Sequence, residues 1–565
     1  MDLDAKTRLR RFCYLGSLDP VYVHLRQPID IERYLPVLSM SCQALDDLQF
    51  LQIMREVLNQ EKLVRRDEAL FVYAVYLSTD LDFKWKRNVR IAFPMYIRDD
   101  DDVLLFCKYS MSIQTVNHRN GFSRTIRRAI TAWYELQSPE AIQDMWMLHR
   151  GAYGLTHKAL LTMCHVSDYT IGAAGVVTPF FKTCSELLMM EKNREIKNGA
   201  RILRKKNKLS TSRHSQMNNE PISQSLEPST AKAVKNSTPI APSVIAMSRL
   251  RTTKNKYEAL KIIKKYKLHY AQVPRHLMCH GPIMEALIPT MSYLQLLKCW
   301  RSMARFNLFN TPQILTLCKS ILNNKNMFRK HNIHPIVLLL KMDKLGFGED
   351  ISQLQPKKVE AMRMTYLRDL YVHSFGHNQA TGLRMRIIIN LQANYIKKLL
   401  NNYKRLSYIE AAVALAFGYY KKECNVDVFY WGDKTKLFPI PWNKDMTITE
   451  ARECCEKLES KKNKQRLALP VISALSQTKI YDVFLAIVPS AGRGNPGQKS
   501  EFLSKVLDKY RESKNSRAKY IIVNLRKYKR SMTYSRGRVE NIMEICGLDE
   551  HTTELINNFA LNHFG

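Results

Sequence analysis

The hydrophobic period of this chain changes once, near Gly382, and that change divides it. From Leu9 to about Glu191, apolar residues recur at helical spacing, as in Ala44–Asn59, Arg66–Leu77, Arg124–Leu136 and Thr156–Cys164. Helices resume at Lys256. Asn310-Thr311-Pro312 and His334-Pro335 supply start signals, and Gly346 a stop. After Gly382 come short β-branched runs, RMRIIINL, VDVFYWG, DVFLAIVP and AKYIIVNL. Between them lie helical stretches at Ser407–Lys422, Ile448–Leu458, Leu467–Ser476 and Lys499–Glu512. Continuous apolar strands alternating with helices predict a parallel sheet covered on both faces. The expected order is an α-solenoid over residues 1–382, inferred from helix density alone, and a separate α/β domain over 383–565.

One segment breaks the helical half. From about residue 192 to 250 the chain is rich in Lys, Arg, Ser, Asn and Pro and nearly free of aromatics. Such a composition buries too little apolar surface to offset the entropy of ordering it. It reads as a basic insertion ending near Ile245, either a passive linker or a non-specific aid to nucleic-acid binding. Deleting residues 205–245 is therefore expected to leave the thermal midpoint nearly unchanged. A scanning-calorimetry drop of many degrees would show that this segment packs.

Charge narrows the partners. Lys and Arg number 88 against 51 acidic residues, a formal net charge of +37. A field of that sign attracts polyanions, nucleic acid first and anionic membrane second. No apolar run is long enough to span a bilayer, and MDLDAKTRLRRFCYLGS lacks the apolar core of a secretion signal. The expected location is the cytoplasm, with the nucleus as a second. Twelve cysteines without a CxxC pair exclude a disulfide scaffold and argue against structural zinc. No phosphate loop, nucleophile elbow or HExxH motif occurs, so no enzyme activity and no cofactor are expected. AGRGNPG at Ala491–Gly497 lacks a Walker lysine and reads as a surface loop, and the Asp99–Asp102 run reads as a solvated loop, with a divalent-ion site the weaker alternative.

The strongest local signal is GFSRTIRRAITAWY, from Gly121 to Tyr134. On a helix, Phe122, Ile126, Ile130 and Trp133 form an apolar stripe, and Arg124, Arg127 and Arg128 fall on the opposite face. Stacked guanidinium groups repel one another unless an anion neutralises them, and their planar donor forks suit phosphate oxygens. Arg150, His157 and Lys158 form a second cationic group. A solvated charged face is the plainer alternative. Trp133 and Tyr153 are placed to stack on bases, although the position of Trp133 on the apolar stripe also fits a core residue.

These segments carry a resemblance. RLRRFCYLGS (Arg8–Ser17), GFSRTIRRAITAWY, GLTHKALLTMCH (Gly154–His165), VPRHLMCH (Val273–His280) and IHPIVLLLKMDKLGFG (Ile333–Gly348) occur in the order found in the Ro ribonucleoprotein autoantigen family. The resemblance spans nearly the whole chain apart from the basic insertion. It implies a ring of HEAT-like helical repeats, the TROVE domain, followed by a von Willebrand factor A-like, Rossmann-type domain. It further implies a monomer within a ribonucleoprotein that binds small non-coding Y-like RNAs and misfolded RNAs with single-stranded ends, for RNA quality control. Arg124, Arg127, Arg128, Arg150, His157 and Lys158 resemble the family's RNA-contacting surface. A helical scaffold for acidic protein partners is the alternative.

The α/β domain departs from its family at the metal site. The family pattern places Asp-x-Ser-x-Ser after the first strand and a Thr and an Asp on later loops. This chain has Asn390, Gln392 and Asn394 at the first position, Arg466 near the second and Pro489 at the third. A divalent ion needs anionic oxygens to offset its dehydration, so the metal site is expected to be lost.

Overall fold

The structure is a computed structural model. It describes residues 4–24, 28–58, 66–137, 141, 145, 152–164, 242–253, 255–291, 293–322, 334–344, 368–376, 380–432, 436–458, 465–490, 496–527 and 541–564. Contacts divide the chain into two compact units, one of residues 1–79 with 278–565 and the other of residues 80–277.

The first unit opens with α1 (Ala5–Leu15), strand β1 (Val21–Val23), α2 (Ile31–Gln43), α3 (Asp47–Leu58) and α4 (Asp67–Ser78). Every residue of α4 from Glu68 to Leu77 is buried, so it is apolar on all sides, and α1, α2 and α3 pack around it. Gly16 ends α1 in the left-handed region, φ 60°, and its N–H returns to the Phe12 carbonyl at 2.7 Å.

The second unit holds α5 (Phe83–Tyr96), α6 (Asp100–Val116), α7 (Arg124–Glu135), α8 (His157–Met163), α9 (Pro242–Thr252) and α10 (Lys256–Tyr266). Two expectations change here. The Asp99–Asp102 run is a helix start and not a loop: the Asp99 carboxylate accepts from the Asp102 N–H at 3.0 Å, and the next three acids fill the first turn of α6. Carboxylates favour that position because the exposed N–H groups there carry partial positive charge. The basic insertion also stops earlier than expected. α9 starts at Pro242 and buries Ala246, Met247 and Leu250, so a deletion that spares packing ends before Pro242. The rest of the insertion, up to residue 241, lies outside the described residues, as do 491–495 of the AGRGNPG segment.

The chain returns to the first unit through α11 (Gly281–Leu287), α12 (Tyr293–Arg305), α13 (Pro312–Leu322) and α14 (Pro335–Lys344). The α/β part follows: β2 (Met385–Ile389), α15 (Ala393–Ile396), α16 (Tyr408–Lys422), β3 (Val426–Trp431) and β4 (Leu437–Pro439). Then come α17 (Ile448–Lys457), α18 (Leu469–Leu475), β5 (Val483–Val488), α19 (Pro496–Ser513), β6 (Lys519–Asn524), β7 (Ile542–Cys546) and α20 (Thr552–Ala560). A helical N-terminal region thus precedes a mixed α/β sheet domain.

The strands form one sheet in the order β1-β7-β6-β5-β2-β3-β4, parallel except for the β3–β4 pair. β2, β5, β6 and β7 are buried at every residue, as the apolar runs of β2, β5 and β6 predict. The chain leaves β2 for β3 and β4, then crosses back to β5 on the other side of β2. The order therefore reverses at the carboxyl ends of β2 and β5, where ligands bind in folds of this class. Arg386 is the exception inside β2. It is 1 % exposed, its guanidinium lies 4.4 Å from the Phe429 ring centre, and it donates to Gln477 Oε1 at 3.1 Å. A cation held over an aromatic face regains part of the hydration it loses on burial.

The sheet also takes strands that the sequence did not reveal. β1 comes from the N-terminal segment assigned above to the helical half, and it lies parallel to β7 through the pairs Val21–Glu544, Tyr22–Ile545 and Val23–Cys546. The Tyr22 hydroxyl donates to Asp549 Oδ2 at 2.6 Å, and His24 Nδ1 lies 3.2 Å from the same oxygen. Burial pushes the Asp549 carboxyl up, but the bonds from His24 and Tyr22 outweigh it and bring it from its ordinary 3.8 to about 2. A carboxyl depressed in the folded state stabilises above its unfolded pKa, and that contribution is lost as pH falls through the folded value. The separation corresponds to about 2 kcal/mol. Asp549→Asn is expected to lower the thermal midpoint at neutral pH, and its gap from the parent should close between pH 4 and pH 2. A gap of constant size across that range would remove Asp549 from the account.

Candidate nucleic-acid interface

The helix that carries the arginine face forms as its spacing predicts. Ser123 caps it, accepting from the Ile126 N–H at 3.3 Å, and Gly121 turns the chain into it at φ 74°. Phe122, Ile126, Ala129, Ile130, Trp133 and Tyr134 are buried. Trp133 is 2 % exposed and meets Tyr134 edge-on at 5.1 Å, so it is a core residue and not a stacking platform. Arg124 and Arg128 are exposed, and Arg127 is half-buried, with an Nε that has no hydrogen-bond partner.

α5 packs along α7 and widens this face with residues that sequence reading passed over. Lys84 and Arg87 are exposed, and Lys86 and Arg90 are half-buried. Burial lowers the pKa of Arg90, and the nearby charges of Arg128 and Arg87 lower it further. Lys86 is lowered by burial and by Arg119, against the opposing pull of Asp80. Among the described residues, no salt bridge neutralises Arg87, Arg90, Arg124 or Arg128. Guanidinium groups as near to Arg90 as Arg128 and Arg87 are can share one polyanion with it. The missed signal was FKWKRNVR at Phe83–Arg90, where four cations fall within seven residues of one helix.

Of the second cationic group, only His157 has a described side chain. His157 is inside the unit, 3 % exposed, with Nδ1 2.6 Å from the Tyr134 hydroxyl and Nε2 3.8 Å from Asp100 Oδ2. It ties the starts of α8 and α6 to the basic helix, so its ring is a packing element and not a surface contact. Lys158 is the second residue of α8 and its side chain is not among those described; Arg150 lies outside the described residues. Tyr153 is open, 44 % exposed in the left-handed region at φ 57°. The Lys108 amino group lies 5.2 Å from its ring centre, and its hydroxyl donates to Asp101 at 3.4 Å.

At the other candidate position, above β2, Asn390 is 1 % exposed. Its amide donates to Gln465 Oε1 at 2.8 Å, and its oxygen accepts from the Gln392 N–H at 2.9 Å. Asn394 and Arg466 are exposed, and Pro489 is buried with its carbonyl accepting from the Arg526 N–H at 3.2 Å.

Residues 385–560 match the family model of the Ro60 von Willebrand A domain. The sheet domain of this chain is similar to that of Ro60. The crystal structure of the Deinococcus radiodurans Ro (RSR) protein superposes with a TM-score of 0.73 at 16 % identity, covering 99 % of this chain and 100 % of that one. At that identity the likeness is one of fold, and it extends over both halves of this chain.

A von Willebrand A domain implies a divalent ion at the top of the sheet, and the residues here do not fit one. The Asn390 oxygen that would turn to a metal already accepts a backbone N–H, its amide is spent on Gln465, and neither Gln392 nor Asn394 carries charge. Neutral amides do not offset the dehydration of Mg²⁺. Titration calorimetry with millimolar Mg²⁺ or Mn²⁺ is expected to give no saturable heat. A one-site isotherm abolished by Asn390→Ala would overturn this.

Proposed function

We propose that this chain is a member of the Ro family and a non-catalytic RNA-binding component of a ribonucleoprotein, with the joined faces of α5 and α7 as its principal contact. The observation that carries this reading is the array of Arg87, Arg90, Arg124 and Arg128, gathered on two packed helices without acidic partners among the described residues. Phosphates spaced along a nucleic acid neutralise such an array, and counterions released from the RNA add to the affinity. The fold shared with a Ro protein and the matched Ro60 domain support the same class of ligand. Tyr153 adds an open aromatic ring in the same unit, suited to an unpaired base.

The preferred RNAs in this reading are small structured non-coding RNAs of the Y type and misfolded RNAs with single-stranded ends. The site of action proposed is the cytoplasm, with a nuclear pool. A scaffold for acidic proteins is the competing reading, because the same cations suit clustered carboxylates. Replacing Arg124, Arg127 and Arg128 with Ala is expected to weaken binding of a hairpin RNA with a single-stranded tail at least about tenfold at moderate salt. The salt dependence should flatten by roughly 0.7 per lost phosphate contact. A folded triple variant that binds this RNA as tightly as the parent would refute the proposed surface.

A further inference from the structure

Where a working von Willebrand A domain gathers carboxylates around a metal, this chain gathers cations. The loop leaving β2 is held in a fixed shape: Leu400 N–H donates to the Leu406 carbonyl at 2.9 Å, and Tyr408 N–H to the Lys398 carbonyl at 2.9 Å. The Tyr403 hydroxyl pins it to the Leu548 carbonyl at 2.6 Å. Asp343 of α14 holds its far side by accepting the backbone N–H groups of Lys404, Arg405 and Leu406 at 3.3, 2.8 and 3.0 Å. That carboxylate is occupied by backbone donors. Lys397, Lys398, Lys404 and Arg405 are exposed along this loop. Arg526, two residues beyond β6, reaches the same loop from a strand end on the far side of β5. Its Nε donates to the Leu399 carbonyl at 3.2 Å, and the Asn401 amide donates to the Arg526 carbonyl at 2.7 Å. Among the described residues, neither terminal amino group of its guanidinium forms an ion pair, and its Nε alone is committed to the loop. Arg466 is exposed and follows directly the Gln465 that bonds Asn390. None of these six cations forms an ion pair among the described residues.

An aromatic ring sits beside two of them. Tyr395, half-buried in α15, has the Lys398 amino group 5.4 Å and the Arg526 guanidinium 5.9 Å from its ring centre. A ring beside a guanidinium plane, flanked by exposed cations on a rigid backbone, is the chemistry that holds unpaired bases and their phosphates. The surface also lies at the switch point of the sheet, the position where this class of fold places its ligands. A membrane would require apolar side chains to insert, and in this loop Leu399 is the only large apolar residue substantially exposed.

We propose that the carboxyl edge of the sheet is a second surface for single-stranded RNA, one that works without a metal. It rests on the RNA reading above only for the class of ligand, since its residues lie in the other compact unit. Amides stand at the positions where acids would repel phosphate, and cations occupy the surrounding loop.

The test uses the full chain, an unstructured fluorescent oligouridylate and a chelator throughout. Lys398→Gln/Arg405→Gln/Arg526→Gln is expected to weaken oligouridylate binding at least about fivefold and to flatten the log–log salt slope by about two, at roughly −0.7 per phosphate. The same loss is expected in the Arg124→Ala/Arg127→Ala/Arg128→Ala background. The exposed pair Lys397→Gln/Arg405→Gln, which disturbs no packing, should give a smaller loss in the same direction should the triple variant prove unfolded by circular dichroism. Unchanged affinity in the folded variants overturns the proposal. So does dependence of binding on added Mg²⁺, or a loss confined to phosphatidylserine vesicles while RNA binding persists. If the α7 variant binds normally and the sheet-edge variants do not, the α5–α7 surface fails and this one stands.

Discussion

The pairing of β1 with β7 is the interaction on which the first unit depends. A parallel pair cannot be closed by a tight turn, and here all of the chain from residue 24 to 541 lies between the two partners. The entropic cost of such a closure grows only with the logarithm of its length, so a few well-buried bonds are enough to hold it. The bonds of Tyr22 and His24 to Asp549 supply them beside the ladder itself. Once both chain ends are fixed in one sheet, α1 to α4 and the α/β part share a single compact unit, and residues 80–277 form another.

Charge is arranged differently in the two units. In the second unit, cations gather on regular helices whose opposite faces are buried, so their positions follow from helix geometry. Arg90 is depressed both by burial and by its cationic neighbours, a cost that a polyanion removes. In the first unit, the cations at the sheet edge sit on a loop whose shape is set by backbone bonds to Asp343, Leu548 and Leu406. The Asn390 amide donates to Gln465 and its oxygen accepts from the Gln392 N–H, so neutral groups hold the centre of the top of the sheet and cations its rim.

Most of the secondary structure was legible because it repeats. The α7 helix begins and ends within a residue of its expected bounds, and β2, β5 and β6 fall on their apolar runs. What was missed lacks periodicity. β1 and β4 are three residues each, too short to show alternation. β7 carries a charged residue, Glu544, in mid-strand, fully buried and bonded by the Asn524 amide, so its run does not read as apolar. His157 misled for a related reason. Its sequence neighbours are cationic, yet the ring turns inward to Tyr134 and Asp100, and no local pattern distinguishes a histidine that faces a hydroxyl from one that faces solvent.

By itself the sequence determined the class of each half, the arginine face of α7 and the loss of charged metal ligands, because each is written in spacing or residue type within one short segment. Tertiary structure alone decided that the N-terminal segment joins the sheet, that α5 doubles the cationic face of α7, and that Arg526 meets Tyr395 across two strand ends. Those three outcomes bring together residues far apart in the chain. Their energies depend on burial and on separations of a few ångströms, which side-chain packing sets and a linear pattern does not encode.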